Sequence, residues 1–468
     1  MVFSEPIFLF FFFPITYLVY RLLPGMGWKN GWLALTSLVF FSFGQLPYTA
    51  LLLLSVGVNY GFGLWLLSGR KGRKGAVALA VTVNLLLLLG VFKYLDFVLT
   101  AVNGLFGLSL PLSGIVLPIG ISFYTFQGMS YVIDVYRNPA MGTRSAGKLL
   151  LYISFFPQLI AGPIVIYHSV AKQIERRRLL PALTLSGLER LVGGLAKKLL
   201  LADTLAVVVD GVYALEPGQL DARLAWAGAI CYTLQLYFDF SGYSDMAIGL
   251  GRLFGFRFPE NFRLPYTARS IQDFWRRWHI SLSTWFRDYL YIPLGGNRRG
   301  SLRTTRNKLI VFFATGLWHG ANWTFVLWGL WHGLFLILED RGVIPRRLRQ
   351  SRLGCLYTML VVVLGFLLFR SADLGQAGTL LSAMATGWSF SPRGTLLLWE
   401  LFDRRTLFLL AAAVLLAAGV PQGLCRRAAV ACPRAASAGR VAWYSALFLV
   451  SVLTAVSTTF SPFIYFQF

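Results

Sequence analysis

The sequence predicts an all-α polytopic membrane protein, and three observations carry that reading. Apolar residues fill 56% of the 468 positions and charged residues only 13%, against about a quarter charged in soluble domains. The apolar residues collect in runs separated by short polar breaks, and a membrane span needs about 20 of them. The net charge of +24 comes from short basic blocks between the runs, at 70–74, Arg176-Arg177-Arg178, 346–352 and Arg426-Arg427. That is the positive-inside pattern of membrane loops. The basic charge therefore speaks of topology and anionic membrane lipid, and nucleic acid is excluded as a partner.

The candidate spans follow in order. Residues 7–20, 31–43, 47–68 and 76–92 form an apolar N-terminal set, which begins without Lys or Arg and reads as a retained first span rather than a removable signal. Further runs lie near 115–133, 149–170, 188–213, 224–238 and 243–256. After a polar-aromatic insertion come 308–340, which can be two elements, then 354–369, 374–388, 406–420 and 441–460. Roughly a dozen spans fit this length. Neither a linker nor an internal repeat divides the chain, so 1–468 is expected to be one integral membrane domain. If the 70–74 and 346–352 blocks face the cytoplasm, both termini are outside.

The insertion at 257–308 is rich in Arg and Trp. From Ile271 to Tyr289 the apolar residues fall at intervals of one, three and four, which predicts one helix with a single apolar face. Gln272, Asp273, Arg276, Arg277 and Asp288 occupy the other face. The segment is too polar to cross lipid and is expected to be an amphipathic helix at the cytoplasmic interface. Its arginines can attract the phosphates of a nucleotide-like or phosphopantetheine ligand, or equally the headgroups of anionic lipids.

Chemistry is expected at histidines. His319 stands in TGLWHGANWTF, within a run without Asp, Glu, Lys or Arg from Val311 to Leu338, and ionisable groups in such runs face a cavity or a partner. The alternative is a packing histidine. His279 borders the apolar face of the 271–289 helix, with Arg276 as its neighbour on the helix surface, where the cation is expected to keep the imidazole neutral. His332, about 220° around a continuous helix from His319, is expected to face away from it and to be structural unless the helix breaks near Gly329, and His168 to be interfacial. Asp239 and Asp245 flank what reads as a small-residue turn. Cys231, Cys355, Cys425 and Cys432 show no metal or redox spacing, and no metal is expected. Walker, HExxH and GxSxG patterns are missing. What remains is metal-free acyl transfer with a histidine base, a role typically worth about 10²–10⁴-fold.

DFWRRWHISLSTWFRDYLYIPLGGN, followed 40 residues after His279 by the WHG of His319, resembles the membrane-bound O-acyltransferase family. ISFYTFQGMSYVIDVYR, FFPQLIAGPI, FDFSGYSDMAIGLG and the tail PFIYFQF resemble its bacterial branch, which serves alginate O-acetylation and teichoic-acid D-alanylation. The resemblance implies a ring of about eleven transmembrane helices around a central funnel, closed by interfacial helices. It places the family's invariant histidine on His319 and its second, highly conserved histidine on His279. It also implies an activated acyl group taken on the cytoplasmic side and delivered toward the exterior, with separate periplasmic acetyltransferase or acyl-relay proteins completing the transfer.

The expectation that follows is a multi-pass O-acetyltransferase of the bacterial inner membrane. Acetyl-CoA or another acyl thioester is the expected donor, and no cofactor is expected to be bound. The acceptor is expected to be an exported polysaccharide such as alginate or cellulose. The catalytic candidates are His319 and His279. The substrate-binding candidates are Trp275, Arg276, Arg277 and Trp278, with Trp318 and Asn322 beside His319. Tyr465, in the short tail after the last span, is the candidate acyl carrier, since a phenol (pKa about 10) is a better leaving group than an alkyl alcohol; the alternative is an aromatic membrane anchor. Two other functions are weighed: D-alanyl transfer to teichoic acid, and a transporter or flippase with His319 lining a permeation path. Transporters of this size often carry internal repeats, and none is visible here.

Overall fold

A computed structural model of the chain describes residues 1–457 and 463–464. Tyr465 lies outside the described residues. The described residues form helices and connecting turns, with no strand among them. Four helices among them are long and apolar enough to cross a membrane: α3 (Leu46–Leu67), α4 (Arg73–Phe106), α11 (Leu353–Arg370) and Arg434–Ser457, within α12 (Pro433–Ser457). Each coincides with an apolar run of the sequence. Further helices are α1 (Phe8–Leu22), α2 (Met26–Ser42) and α5 (Ile121–Arg137), and, around the site, α6 (Ala222–Leu253), α7 (Ile271–Arg277), α8 (Ile280–Phe286), α9 (Ser301–His319) and α10 (Trp323–Asp340). The chain packs as two compact units, one built on Met1–Leu191 and Tyr243–Pro259, the other on Val192–Gly242 and Glu260–Ile464.

In the first unit, polar side chains tie apolar helices together. Asn59 of α3 and Asn84 of α4 exchange two amide hydrogen bonds of 3.1 Å, and each also donates to the carbonyl one turn back, Ser55 and Ala80 at 2.8 Å. Arg177 turns inward although it belongs to a basic block that reads as a topology signal. It donates to the Tyr20 hydroxyl at 2.9 Å, the Phe254 carbonyl at 3.0 Å and the Asn30 side chain at 2.7 Å. Its plane also covers the Phe256 ring, 4.4 Å from the centroid, so part of the positive-inside charge is structural cement.

The second unit departs from the sequence reading in two places and bears it out in a third. Asp239 and Asp245 flank no turn, because α6 runs unbroken from Ala222 to Leu253. The serine and glycine between them serve close packing: a Cβ on Gly242 would come within 2.8 Å of the Gly194 carbonyl oxygen. The single helix expected over 271–289 breaks at Trp278–His279 into α7 and α8. His279 takes a left-handed backbone conformation, φ 43° and ψ 54°, which costs a non-glycine residue free energy. The apolar spacing cannot reveal such a break, since the residues on both sides still face one core. The run 308–340 is a hairpin of α9 and α10, turning at Gly320–Asn322. Gly316 and Gly329 lie at the crossing, where the partner helix's backbone leaves no room for a Cβ, as in small-residue packing within membranes.

Candidate functional site: two buried histidines in an aromatic shell

The helix break and the hairpin turn each deliver one histidine to the same place. His319 is the last residue of α9 and His279 the residue between α7 and α8. Their side chains are 2% and 0% exposed, and the ring centroids lie 6.4 Å apart. Trp318 packs edge-on against both, at 5.9 Å from His279 and 4.9 Å from His319. Phe240 of α6 covers His279 at 4.6 Å, while Trp328 and Phe369 cover His319 at 4.9 and 5.2 Å. Such a shell excludes water and strengthens every electrostatic contact inside it.

His279 is oriented by Asn261. Its Nδ1 lies 3.2 Å from Asn261 Oδ1, which also accepts from the Ser281 amide at 3.2 Å and the Ser281 hydroxyl at 2.9 Å. An oxygen that accepts from a backbone N–H is an acceptor toward the imidazole too. Nδ1 therefore carries the hydrogen, and Nε2 is the basic nitrogen. Backbone bonds from Ile280 N to Asn261 O (3.0 Å) and from Arg263 N to Arg277 O (3.0 Å) clamp the strained turn from outside. Burial pushes His279 down to about 3. The ring is neutral, as the sequence suggested, but desolvation and not Arg276 is the cause.

The far end of α7 is fixed across a long sequence distance. Glu339 of α10 accepts from the amides of Ile271 at 2.7 Å and Gln272 at 3.1 Å, and from the Tyr357 hydroxyl at 3.3 Å. A carboxylate at the first amides of a helix satisfies donors that have no partner within the helix. Sequence reasoning missed Glu339, Asn261 and Ser281. No local signal marks them: Asn261 stands between Glu260 and Arg263, and Glu339 beside Asp340 and Arg341.

The other expected site residues divide. Trp275 and Trp278 are buried and Arg276 is exposed. Arg277 is spent on Asp273 (3.0 Å) and the Thr267 hydroxyl (3.1 Å). Asn322 begins α10, accepting from Thr324 N at 3.2 Å and donating to the Ala372 carbonyl at 2.8 Å. It is thus the cap of α10, at the hairpin turn. His332 is drawn closer than the continuous-helix argument allowed, because the hairpin puts it on a different helix from His319. Its ring meets Trp328 at 5.4 Å and Trp275 at 5.2 Å, so Trp328 touches both histidines. Both His332 nitrogens are buried with no hydrogen-bond partner among the described residues.

A cavity of about 500 Å³ adjoins this shell. Trp275, Ile280, Phe312 and Thr315 form part of its wall, and Arg276, Arg287 and Lys308 supply cationic groups. Ile280 follows His279 in the chain, and Thr315 precedes His319 by one helical turn. Lys308 is ion-paired with Asp340 and Arg287 with Asp288.

Residues 139–351 match the sequence signature of the membrane-bound O-acyltransferase family. The chain is 39% identical over its whole length, and over the whole of the relative, to the "Probable alginate O-acetylase AlgI" of Azotobacter vinelandii. It is 44% identical to the protein of that name in Pseudomonas aeruginosa, over 82% of this chain and 75% of the relative. It is 37% identical to the peptidoglycan O-acetyltransferase of Helicobacter pylori, over 82% and 80%. With apolar helices long enough to span a bilayer and likeness running the full length of a relative, this multi-pass membrane protein belongs to the membrane-bound O-acyltransferase family.

Proposed function

We propose that the chain is an O-acetyltransferase of the bacterial inner membrane that moves acetyl groups toward an exported, alginate-like polysaccharide. The observation that carries this reading is the meeting of His279 and His319 in one dry shell. Their 6.4 Å centroid separation is one that a single hydroxyl oxygen can bridge, since each hydrogen bond spans about 2.8 Å. Relatives named as alginate and peptidoglycan O-acetylases support acetyl as the group and a polysaccharide as its destination.

In this reading His319 is the base. As the hydroxyl oxygen attacks the thioester carbonyl, its proton passes to His319, the new C–O bond forms and the C–S bond breaks. The proton then goes to the leaving thiolate. His279, with Nε2 basic, relays that proton onward to the thiolate. The cavity lined by Arg276, Arg287 and Lys308 is the proposed donor entry on the cytoplasmic side, its cations facing the phosphates of acetyl-CoA or a phosphopantetheine arm. About eleven spans surround the site, both termini are outside, Tyr465 receives the acyl group, and separate periplasmic proteins complete the transfer.

His319→Ala tests the reading. Polymer acetylation is expected to vanish while protein level and membrane insertion, read by immunoblot of washed membranes, stay normal. Undiminished acetylation in that variant overturns the mechanism.

A further inference from the structure

Close to the histidine pair is a buried charge cluster that the chemistry above does not use. Lys198 and Asp239 are each 2% exposed and pair at 2.8 Å, and Lys198 also pairs with the half-buried Asp203 at 2.8 Å. Isolated charges do not persist in such a place, and even a pair needs its remaining lone pairs satisfied. The second oxygen of Asp239 is satisfied by the C-terminal segment: Ile464 N donates to Asp239 Oδ2 at 2.9 Å. The Phe463 ring covers the Lys198 ammonium, 4.6 Å from the centroid, as a cation–π contact. Phe463 is 1% and Ile464 8% exposed. A stretch only a few residues from the chain end is therefore seated in the core of the second unit by a backbone hydrogen bond and a ring, across 225 positions of sequence.

The address matters as much as the bond. Asp239 is followed on α6 by Phe240, the residue whose ring covers His279 at 4.6 Å. The carboxylate that holds the tail and the ring that covers the histidine are consecutive residues of one rigid helix. We propose that Asp239 is a positioning residue that latches the C-terminal segment beside the acyl-transfer histidines, with Lys198 fixing the carboxylate. The latch makes Phe463 and Ile464 a resident part of the second unit's core rather than an anchor in the surrounding lipid. The tail's part in turnover rests on the reading of His279 and His319 as the acyl-transfer pair. The latch itself does not.

The variant that isolates the latch is Lys198→Met with Asp239→Leu. Removing one partner strands a buried charge, whereas replacing both with apolar groups of similar size is often neutral. The full chain in detergent is treated with carboxypeptidase, and the C-terminal peptide is weighed by mass spectrometry. Residues 463–464 of the parent protein are expected to resist trimming. The double variant is expected to lose them at least tenfold faster while its melting temperature stays within a few degrees. Phe463→Ala, which leaves the ion pair intact, is expected to speed trimming as well and serves should the double variant fold poorly. Equal trimming rates in the parent and both variants overturn the latch. In acyl-transfer assays the double variant is expected to lose activity at least tenfold, to the level of a chain ending at Ser457, with no further loss when the two changes are combined. Fast trimming with undiminished acyl transfer overturns the tail's role in the site. Slow trimming in the parent and fast trimming in the variants, with no acyl transfer by the parent from any thioester, instead removes the functional reading and leaves the latch standing.

Discussion

Two buried asparagine sites, one in each compact unit, show how differently the same side chain can be used. In the first unit Asn59 and Asn84 satisfy one another and their own helices; α3 stays regular, and α4 runs on through Asn84 with its turns widened from there to Tyr94. In the second unit Asn261 takes three donors from the His279–Ser281 turn. The turn it supports holds one of two non-glycine residues with positive φ among those described. A polar group that closes on itself is glue between apolar helices. One that holds a neighbour in a strained conformation signals work done by the neighbour, since such strain persists only where the surroundings impose it.

The sharpest way to break this comparison is in the second unit. His279→Ala is expected to lower acyl transfer by about 100-fold or more, as loss of a positioned acid–base group does. Asn261→Ala keeps the imidazole but frees its orientation and is expected to cost about 10–100-fold, the usual range for a group that orients a reactive ligand. Both losses should appear in kcat at donor saturation, with membrane insertion intact. Equal activity of Asn261→Ala and the parent protein would reduce Asn261 to a turn-former.

The first unit should answer in stability instead. Asn59→Ala strands the Asn84 amide in an apolar interface and is expected to cost about 1–3 kcal/mol, seen as a lower melting temperature with turnover per folded molecule unchanged. Replacing both asparagines with leucine is expected to be milder than either single change. A loss of turnover without a loss of stability would move this pair from glue to site.

The smallest effect is on acid stability. Burial lowers His279 in the folded protein to about 3, while the unfolded chain takes a proton below about 6.5. Protonation then favours unfolding as pH falls through that window, and above it this residue contributes no pH dependence. Between pH 6.5 and 5.5 the loss is about 1 kcal/mol for a single group. His279→Asn is expected to flatten the melting temperature over that interval. An unchanged acid slope would mean that the ring is charged in the fold.

How much of this was legible depends on where each signal sits. His319 stands out in sequence because ionisable groups are rare in apolar runs, His279 because it borders the apolar face of an amphipathic segment, and α3, α4, α11 and α12 because their runs are apolar. The break at Trp278–His279 was hidden, since both halves keep apolar residues toward one core. Asn261 lies 18 residues before the histidine it orients, and Asp239 is 225 residues from the backbone amide it holds. Such pairings are made by folding and leave no local period. His332 was misplaced for a related reason: helical arithmetic holds only while the helix continues, and the hairpin turns before it.

The hold of Glu339 on the first amides of α7 has a bearing on how the protein is made. Ile271 and Gln272 leave the ribosome 68 and 67 residues before the carboxylate that receives them. Until α10 has been synthesised, the helix that leads to His279 has exposed amides and no acceptor. The segment from Ile271 to Phe286 therefore waits, partly unassembled, while the α9–α10 hairpin enters the membrane. His279 is then seated by a helix born after it, so the order of synthesis is the reverse of the order in which the site closes.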